Sequence, residues 1–409
     1  MQIHFKPGIN LLIGDNGVGK TSVLDALAVA LGGFLSGIPG ISVSGISRDD
    51  IHIETRRLAG ASSMVEYMIP TEVECIMDFE GESFRWMRFL ENQLPQSRTK
   101  MSGREITHYA AALTNDAQSE LPLISYMSTM RVSRTKRADY GSSTKKLDDR
   151  RCGYIGCLDS ALDIKGIKQW CVDMEMEAFH QETQIPEYEM FKAIVSELMQ
   201  RMNGLEYPPS IDYSKAFKDM VYTEGNEILP ISYLSAGYQS LLCMAMDFAY
   251  RIARLNPNMR DYCQITGVVL IDELDMHLHP KWQWNVLEAL GGLFPRVQFI
   301  IATHSPILIS SCKNGHLISL DSDQEVSYVG DAYAYSIADV LEFKQGSLGV
   351  PKGIRELSSQ FDRAMNDDDY ERAKQILQTM KEQYGEDNTE VRSAMLELDL
   401  GDVDDLDEG

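Results

Sequence analysis

One run of residues near the N-terminus constrains the fold of this chain more than any other. It reads Gly-Asp-Asn-Gly-Val-Gly-Lys-Thr over residues 14–21 and fits the pattern G-x-x-x-x-G-K-[ST]. The apolar run Ile9–Ile13 before it predicts a buried strand, and the apolar run 22–31 after it predicts a helix that stops at Gly32 and Gly33. A strand, a glycine-rich loop and a helix in this order predict a phosphate-binding loop in an α/β protein.

Each residue type in this loop has a chemical reason to be there. Glycine lets successive backbone N–H groups turn inward toward phosphate oxygens. Lys20 supplies a positive charge for the β- and γ-phosphates, and the hydroxyl of Thr21 is a hard oxygen ligand for Mg²⁺. The predicted nucleotide-binding residues are Asn16, Gly17, Val18, Gly19, Lys20, Thr21 and Ser22.

Two later strands end in residues suited to hydrolysis. The apolar run 268–271 is followed by Asp272 and Glu273, and the apolar run 297–301 leads to His304. Because buried parallel strands present their carboxyl ends to the ligand crevice, these side chains should meet the loop. We expect Asp272 to bind Mg²⁺, Glu273 to polarise the attacking water and His304 to contact the γ-phosphate. A purely structural histidine is the alternative for His304.

A further candidate site is the run Leu-Ser-Ala-Gly over 234–237, which precedes an apolar helical pattern. Ser235 should cap that helix, and Gly237 leaves the backbone amides uncovered. Such a helix N-terminus can bind an anion. A simple capped helix is the alternative interpretation.

The order of these motifs resembles that of the ATP-binding-cassette (ABC) ATPases. The resemblance implies a P-loop NTPase fold with a mixed sheet flanked by helices, ATP and Mg²⁺ as cofactors, and an ATP-sandwich dimer. Lys20, Thr21, Asp272, Glu273 and His304 would then act in one subunit on the nucleotide that Ser235 and Gly237 of the other subunit cover. The insertion between the loop and the serine motif is far longer than in transport cassettes.

The stretch 271–283, Ile-Asp-Glu-Leu-Asp-Met-His-Leu-His-Pro-Lys-Trp-Gln, narrows this resemblance. It is similar to RecF-like ATPases and to ATPases of the overcoming-lysogenisation-defect type. It is more similar still to the group of predicted ATP-binding proteins involved in virulence, which includes the PtuA ATPase of Septu anti-phage systems. The group implies an ATPase that regulates an HNH-type nuclease partner, with Asp275 linking the two active sites. The acidic cluster of a nuclease domain does not follow His304, so we expect any DNA cleavage to come from the partner.

Two other functions stay open at this point. One is a RecF-like or SMC-like repair ATPase that clamps DNA directly, and the other is a nucleotide-gated scaffold with little turnover. The basic segment 131–151, with eight bases and three acids, could contact DNA or be a solvated loop. Seven scattered cysteines and the lack of a long apolar run favour a cytoplasmic protein without a membrane partner.

The 409 residues have a net charge of −23 and divide into two predicted domains. Residues 1–345 form the ATPase domain, with an insertion at about 91–227, and residues 346–409 form a helical appendage with an acidic tail. We expect a hairpin over 73–89, helices within 163–204, two or three helices over 353–400, and disorder over 401–409.

Overall fold

The computed structural model describes most of the chain. The described residues are 1–56, 64–94, 97–128, 149–159, 162–276, 278–330, 332–341, 352–367 and 369–407. The chain forms two compact units, Met1–Tyr335 and Ser336–Gly409. The predicted boundary at 345 lies outside the described residues and stays a prediction. Residues 131–148 of the basic segment also lie outside them, so DNA contact by that segment stays a prediction.

A six-stranded sheet forms the centre of the first unit. Its strands are β1 (Ile9–Ile13), β7 (Leu123–Met127), β11 (Gly267–Ile271), β12 (Val297–Ala302), β13 (His316–Leu320) and β14 (Val326–Val329). The order across the sheet is β14-β13-β1-β12-β11-β7. All neighbouring pairs are parallel except β13 with β14, so the sheet is mixed. The predicted α/β fold class is confirmed.

Seven helices of the first unit accompany the sheet in the described part of the chain. They are α1 (Lys20–Leu35), α2 (Glu105–Asn115), α3 (Ile164–Gln181), α4 (Pro186–Asn203), α5 (Ala236–Leu255), α6 (Pro280–Leu293) and α7 (Pro306–Ser311). Leu24, Leu31 and Phe34 of α1 are buried in one apolar cluster with Leu12, Leu270 and Ile300 of the sheet. This packing keeps the start of α1 beside the end of β1. The predicted helices within 163–204 are confirmed by α3 and α4.

The prediction that Gly32 and Gly33 end the first helix is wrong, because α1 continues to Leu35. Both glycines instead allow a close approach of other side chains. A Cβ atom at Gly32 would lie 2.3 Å from Nη1 of Arg88, and one at Gly33 would lie 2.4 Å from Nε1 of Trp86. Arg88 and Trp86 donate hydrogen bonds to the carbonyls of Val29 and Ala30 at 2.7 and 2.9 Å. These residues are glycine for packing rather than for helix termination.

The described residues of the first unit also form three small antiparallel sheets. Their strands are β2 (Ile53–Arg56) with β3 (Met64–Tyr67), β4 (Thr71–Phe79) with β5 (Glu82–Leu90) and β6 (Lys100–Ser102), and β8 (Ser210–Ser214) with β9 (Asp219–Glu224) and β10 (Glu227–Pro230). The pair β4–β5 confirms the predicted hairpin. The core sheet also takes β7 from within the range 91–227 that the sequence assigned to an insertion.

The second unit contains α8 (Ile337–Asp339), α9 (Lys352–Asn366), α10 (Tyr370–Tyr384) and α11 (Thr389–Asp407). Ile354, Phe361, Ile376, Met380 and Val391 are buried together and give this unit its own apolar core. Gly385, at φ 82°, follows the end of α10 as predicted. The prediction of disorder over 401–409 is wrong for residues 401–407, which extend α11, since adding turns to a formed helix costs less than nucleating one.

Within the described part of the chain, no helix combines the length and the apolar character needed to cross a membrane.

Candidate functional site

The glycine-rich loop connects β1 to α1 through backbone conformations that favour glycine. Gly14, Gly17 and Gly19 have φ angles of 139°, 85° and 101°. A Cβ atom at Gly14 would lie 2.2 Å from the carbonyl oxygen of Leu320, so this position has no room for a side chain. At Gly17 and Gly19 a Cβ atom would meet nothing within 4 Å. The loop is therefore closely packed where it leaves the sheet and open where a ligand would lie.

Lys20, the first residue of α1, points back into the loop. Its ammonium donates hydrogen bonds to the carbonyls of Gly14 at 2.9 Å and Asp15 at 2.8 Å. The residue is only 6% exposed. Burial lowers the pKa of Lys20, and the nearby carboxylates, Asp272 first among them, oppose that shift. The Lys20 side chain therefore lies inside the glycine-rich loop, and its contact with phosphate stays a prediction.

Thr21 and Asp272 meet at the carboxyl end of β11. The Thr21 hydroxyl donates a hydrogen bond to Oδ2 of Asp272 at 3.0 Å. Asp272 is 1% exposed, and its backbone N–H donates to the carbonyl of Met127 at 2.8 Å. A hydroxyl and a carboxylate at this spacing are the hard oxygen donors that Mg²⁺ prefers. These two residues fit the predicted metal site.

Glu273 begins a tight turn directly after Asp272. Its φ angle is 46°, a left-handed conformation that is unfavourable for residues other than glycine. The turn is closed by hydrogen bonds from the N–H of Met276 to the carbonyl of Glu273 and from the N–H of Leu278 to that of Asp275, both at 3.0 Å. Such strain is commonly found where geometry serves function. The half-buried carboxylate is close enough to oppose, in part, the lowering of the pKa values of Lys20 and His304 that burial causes.

His304 follows the end of β12 on the same edge of the sheet. Burial and the charge of Lys20 lower the pKa of His304, while Asp275 and Glu273 act in the opposite direction. Burial of the ring therefore favours the neutral imidazole over its protonated form. Next to it, the Thr303 hydroxyl donates to Oδ1 of Asp275 at 2.5 Å, which ties the end of β12 to the turn after β11.

The structure thus brings Lys20, Thr21, Asp272, Glu273 and His304 to one edge of the sheet. Asn16 and Ser22 are exposed there, and Val18 is buried beneath the loop. Ser235 and Gly237 lie elsewhere. Ser235 caps α5 by accepting a hydrogen bond from the N–H of Tyr238 at 3.3 Å.

Ser235 and Gly237 line a cavity of about 630 Å³ with residues from α4, β9 and the start of α6. A polar network of side chains lies beside this cavity. The Tyr238 hydroxyl donates to Glu224 at 2.5 Å and accepts from Asn203 at 3.0 Å, and Asn203 accepts from the Trp282 indole at 2.6 Å. Tyr238 and Trp282 belong to the two motif regions, but Asn203 and Glu224 carry no sequence signal that would place them here.

His279 has a structural role in the loop after β11. Its Nδ1 accepts a hydrogen bond from the N–H of Lys281 at 3.3 Å and so caps α6. Its ring also lies edge-on to Trp282, with centroids 6.1 Å apart. This agrees with a packed loop after β11.

The chain is similar in sequence to known proteins. A family model described as "AAA domain, putative AbiEii toxin, Type IV TA system" matches residues 9–310. The retron Vc95 probable ATPase of Vibrio cholerae serotype O1 biovar El Tor is 25% identical over 351 residues, which is 74% of this chain and 66% of the relative. The Septu protein PtuA of Bacillus thuringiensis is 24% identical over 360 residues, which is 85% of this chain and 77% of the relative.

The chain therefore spans just under two thirds of the retron relative's length. A solved structure of an Smc head bound to the C-winged helix domain of ScpA has a TM-score of 0.48 at 16% identity, covering 80% of this chain and 92% of that one. The family match and the two relatives confirm the resemblance that the motifs indicated.

Proposed function

The chain belongs to the AAA-domain family that it matches over residues 9–310, and from this premise we propose that it is an ABC-type ATPase. The observation that carries the proposal is the 3.0 Å contact between Thr21 and Asp272 directly beside the buried ammonium of Lys20. A metal-ligand pair and a phosphate-binding cation then share one edge of the sheet. The substrate is ATP, and the products are ADP and phosphate.

Each residue of the site has a role that follows from its position. The loop N–H groups and Lys20 bind the phosphates, and Lys20 exchanges its two carbonyl partners for phosphate oxygens. Thr21 and Asp272 would hold Mg²⁺, which when bound neutralises charge on the phosphate oxygens. Glu273 accepts a proton from the attacking water, and His304 donates a hydrogen bond to the γ-phosphate.

Two substitutions test this assignment. Glu273→Gln should keep ATP binding and lower hydrolysis by about two to four orders of magnitude, the usual contribution of a positioned base. Lys20→Ala should instead weaken ATP binding. The matched control is Glu288→Gln, which makes the same change at an exposed position of α6. Hydrolysis by Glu273→Gln at the rate of this control would contradict the role of Glu273.

We also infer that two chains form an ATP-sandwich dimer. Support comes from Ser235 and Gly237, which face a cavity of their own rather than the glycine-rich loop of the same chain. A mixture of Ser235→Arg and Lys20→Ala chains should regain activity, because each mixed dimer then contains one intact composite site. The mixture is made with two affinity tags so that mixed dimers are isolated. Isolated mixed dimers without activity, with both variants folded, would contradict the sandwich.

We further propose that the ATPase acts in anti-phage defence in the cytoplasm by regulating an HNH-type nuclease partner. Its similarity to a Septu protein and to a retron ATPase supports this proposal. DNA would be bound directly or through the partner. Purification with the product of the neighbouring gene, followed by an assay of nuclease activity with and without ATP, tests it. DNA retention by the chain alone would instead favour a direct clamp, and ATP binding with negligible turnover would favour a scaffold.

The helical second unit is the proposed docking region for assembly or for the nuclease. Residues 362–409 contain sixteen acids and five bases, a charge that suits a basic partner. Deletion of residues 353–409 should disrupt higher assembly or partner binding and preserve nucleotide binding by the first unit. A truncated chain that still assembles and retains its partner in gel filtration at physiological salt would contradict this role.

A further inference from the structure

A hydrogen-bonded pair outside the known motifs lies one helical turn from the proposed metal ligand Thr21. The hydroxyl of Tyr126 on β7 donates to Oδ1 of Asp25 on α1 at 2.8 Å. Asp25 is one helical turn after Thr21, so both residues lie on the same face of α1. Tyr126 is 5% exposed. Burial first, and then the Asp25 carboxylate, hold the pKa of Tyr126 far above its usual value, so the phenol is a neutral donor.

The same face of α1 therefore contacts two adjacent strands. Thr21 contacts Asp272 at the end of β11, and Asp25 contacts Tyr126 on β7. The two strands are parallel, with Tyr126 opposite Leu270 and Met127 opposite Ile271. The carbonyl of Met127 then accepts the backbone N–H of Asp272 at 2.8 Å. These contacts form a closed circuit from Thr21 through Asp272, Met127, Tyr126 and Asp25 back to α1.

We propose that Asp25 and Tyr126 are positioning residues for the metal-ligand pair Thr21–Asp272. Their hydrogen bond fixes the distance between α1 and the end of β7, and β7 fixes the backbone of Asp272. Residues behind metal ligands commonly act in this way, because a ligand oxygen is useful only when it is held at the correct angle and distance. This inference rests on the proposed ATPase function.

Three variants separate the hydrogen bond from the charge of Asp25. Tyr126→Phe removes only the donor, Asp25→Ala removes the acceptor, and Asp25→Asn keeps an acceptor oxygen without the charge. Tyr109→Phe is the matched control, because the Tyr109 hydroxyl donates to Glu80 at 2.7 Å in the β4–β5 hairpin region and has no part in the site. The readout is the affinity for ATP measured without metal and then at increasing Mg²⁺, together with the unfolding midpoint of each variant.

We expect Tyr126→Phe and Asp25→Ala to raise the Mg²⁺ concentration that half-saturates the gain in ATP affinity by about tenfold or more. Their affinity for ATP without metal should stay at the wild-type value. Asp25→Asn should require nearly as little Mg²⁺ as the wild type, and Tyr109→Phe should match the wild type. A merely structural contact would lower the unfolding midpoint of both Tyr→Phe variants without changing the Mg²⁺ requirement.

Two results would overturn the inference. One is a Tyr126→Phe variant that needs no more Mg²⁺ for half-saturation than Tyr109→Phe. The other is an Asp25→Asn variant that needs as much Mg²⁺ as Asp25→Ala. In either case the wild-type chain still gains ATP affinity with Mg²⁺, so the proposed function stands. If the wild-type chain binds no ATP at any Mg²⁺ concentration, the proposed function fails, and this inference fails with it.

Discussion

Replacing Arg251 by Met should destabilise the first unit far more than the same replacement at the surface. Arg251 and Asp247 form an ion pair one turn apart on α5, with Nε 2.8 Å from Oδ2. Their side chains are 7% and 1% exposed. The guanidinium also donates to the carbonyls of Gly153 at 2.9 Å and Ile155 at 3.2 Å. The pair therefore holds the backbone over 153–155 against the helix that Ser235 begins.

The size of the expected stability loss follows from the burial of the Arg251–Asp247 ion pair. Arg251→Met leaves the Asp247 carboxylate buried beside the hydroxyl of Ser125, 3.3 Å away. Breaking a buried ion pair in this way costs about 3–5 kcal/mol. The control is Arg201→Met, which breaks a pair with Glu197 at the same helical spacing and 2.6 Å, but with side chains 42% and 31% exposed. An exposed pair of this kind contributes only about 0.3–0.5 kcal/mol.

Urea unfolding, followed by circular dichroism, measures both variants. A third variant, Arg251→Met with Asp247→Leu, removes both charges and should be more stable than Arg251→Met by at least about 1 kcal/mol, since no buried charge is left without its partner. Equal losses for Arg251→Met and Arg201→Met would refute the argument from burial. A double variant no more stable than Arg251→Met would refute the argument from the unpaired carboxylate.

Three further predictions test other parts of the structure. Gly33→Ala should lower the free energy of unfolding by about 1–3 kcal/mol and change the tryptophan fluorescence, because the Cβ atom of the alanine would displace the indole of Trp86. An unchanged fluorescence spectrum would contradict this contact. Glu273→Gly should abolish hydrolysis, because it removes the carboxylate. It should also raise the free energy of unfolding by up to about 1 kcal/mol, since glycine adopts the left-handed conformation at φ 46° without strain. A lower free energy of unfolding would show that the turn is not strained. The pKa of His304 is lower in the folded chain than its usual 6.5, so protonation of His304 favours the unfolded chain as the pH falls through 6.5 and below. The variant His304→Gln should therefore lose less free energy of unfolding than the wild type between pH 7 and pH 5. Equal losses in the two chains would contradict the lowered pKa.

Local sequence patterns sufficed to predict the parts of the site that lie on single elements. The glycine-rich loop, the strand before Asp272 and the capped helix after Ser235 each carry a strong local signal, namely apolar runs, glycine and a capping residue. Parallel strands then place several chain segments at one edge. This reasoning also brought His304 to the site.

Contacts between distant segments could not be predicted in the same way. Gly32 and Gly33 read as a helix stop because the side chains that require them, Arg88 and Trp86, lie more than fifty residues later in the chain. The contact between Asp25 and Tyr126 joins segments about a hundred residues apart, and its only local signal is the spacing of four residues from Thr21 to Asp25. Asn203 has no local signal, because it contacts Tyr238 and Trp282 only after α4, α5 and α6 have packed.

The strand β7 connects the two helices that begin with functional residues. Side chains alternate across a strand, so Ser125 and Tyr126 point to opposite faces of the sheet. Ser125 donates to Asp247 of α5, and Tyr126 donates to Asp25 of α1. Since α1 begins at Lys20 and α5 is capped by Ser235, β7 is hydrogen-bonded both to the helix that follows the glycine-rich loop and to the helix that follows the serine motif.

Nucleotide binding should therefore reach α5 through β7. We expect the backbone amides of β7 and of the adjoining turn of α5 to exchange with deuterium more slowly once ATP is bound, because a ligand on α1 holds Asp25 and hence Tyr126 in place. Tyr126→Phe should remove this slowing in α5 while leaving the slowing in the loop over 14–21. If α5 responds equally in both chains, the signal between the two motifs does not pass through the Asp25–Tyr126 hydrogen bond.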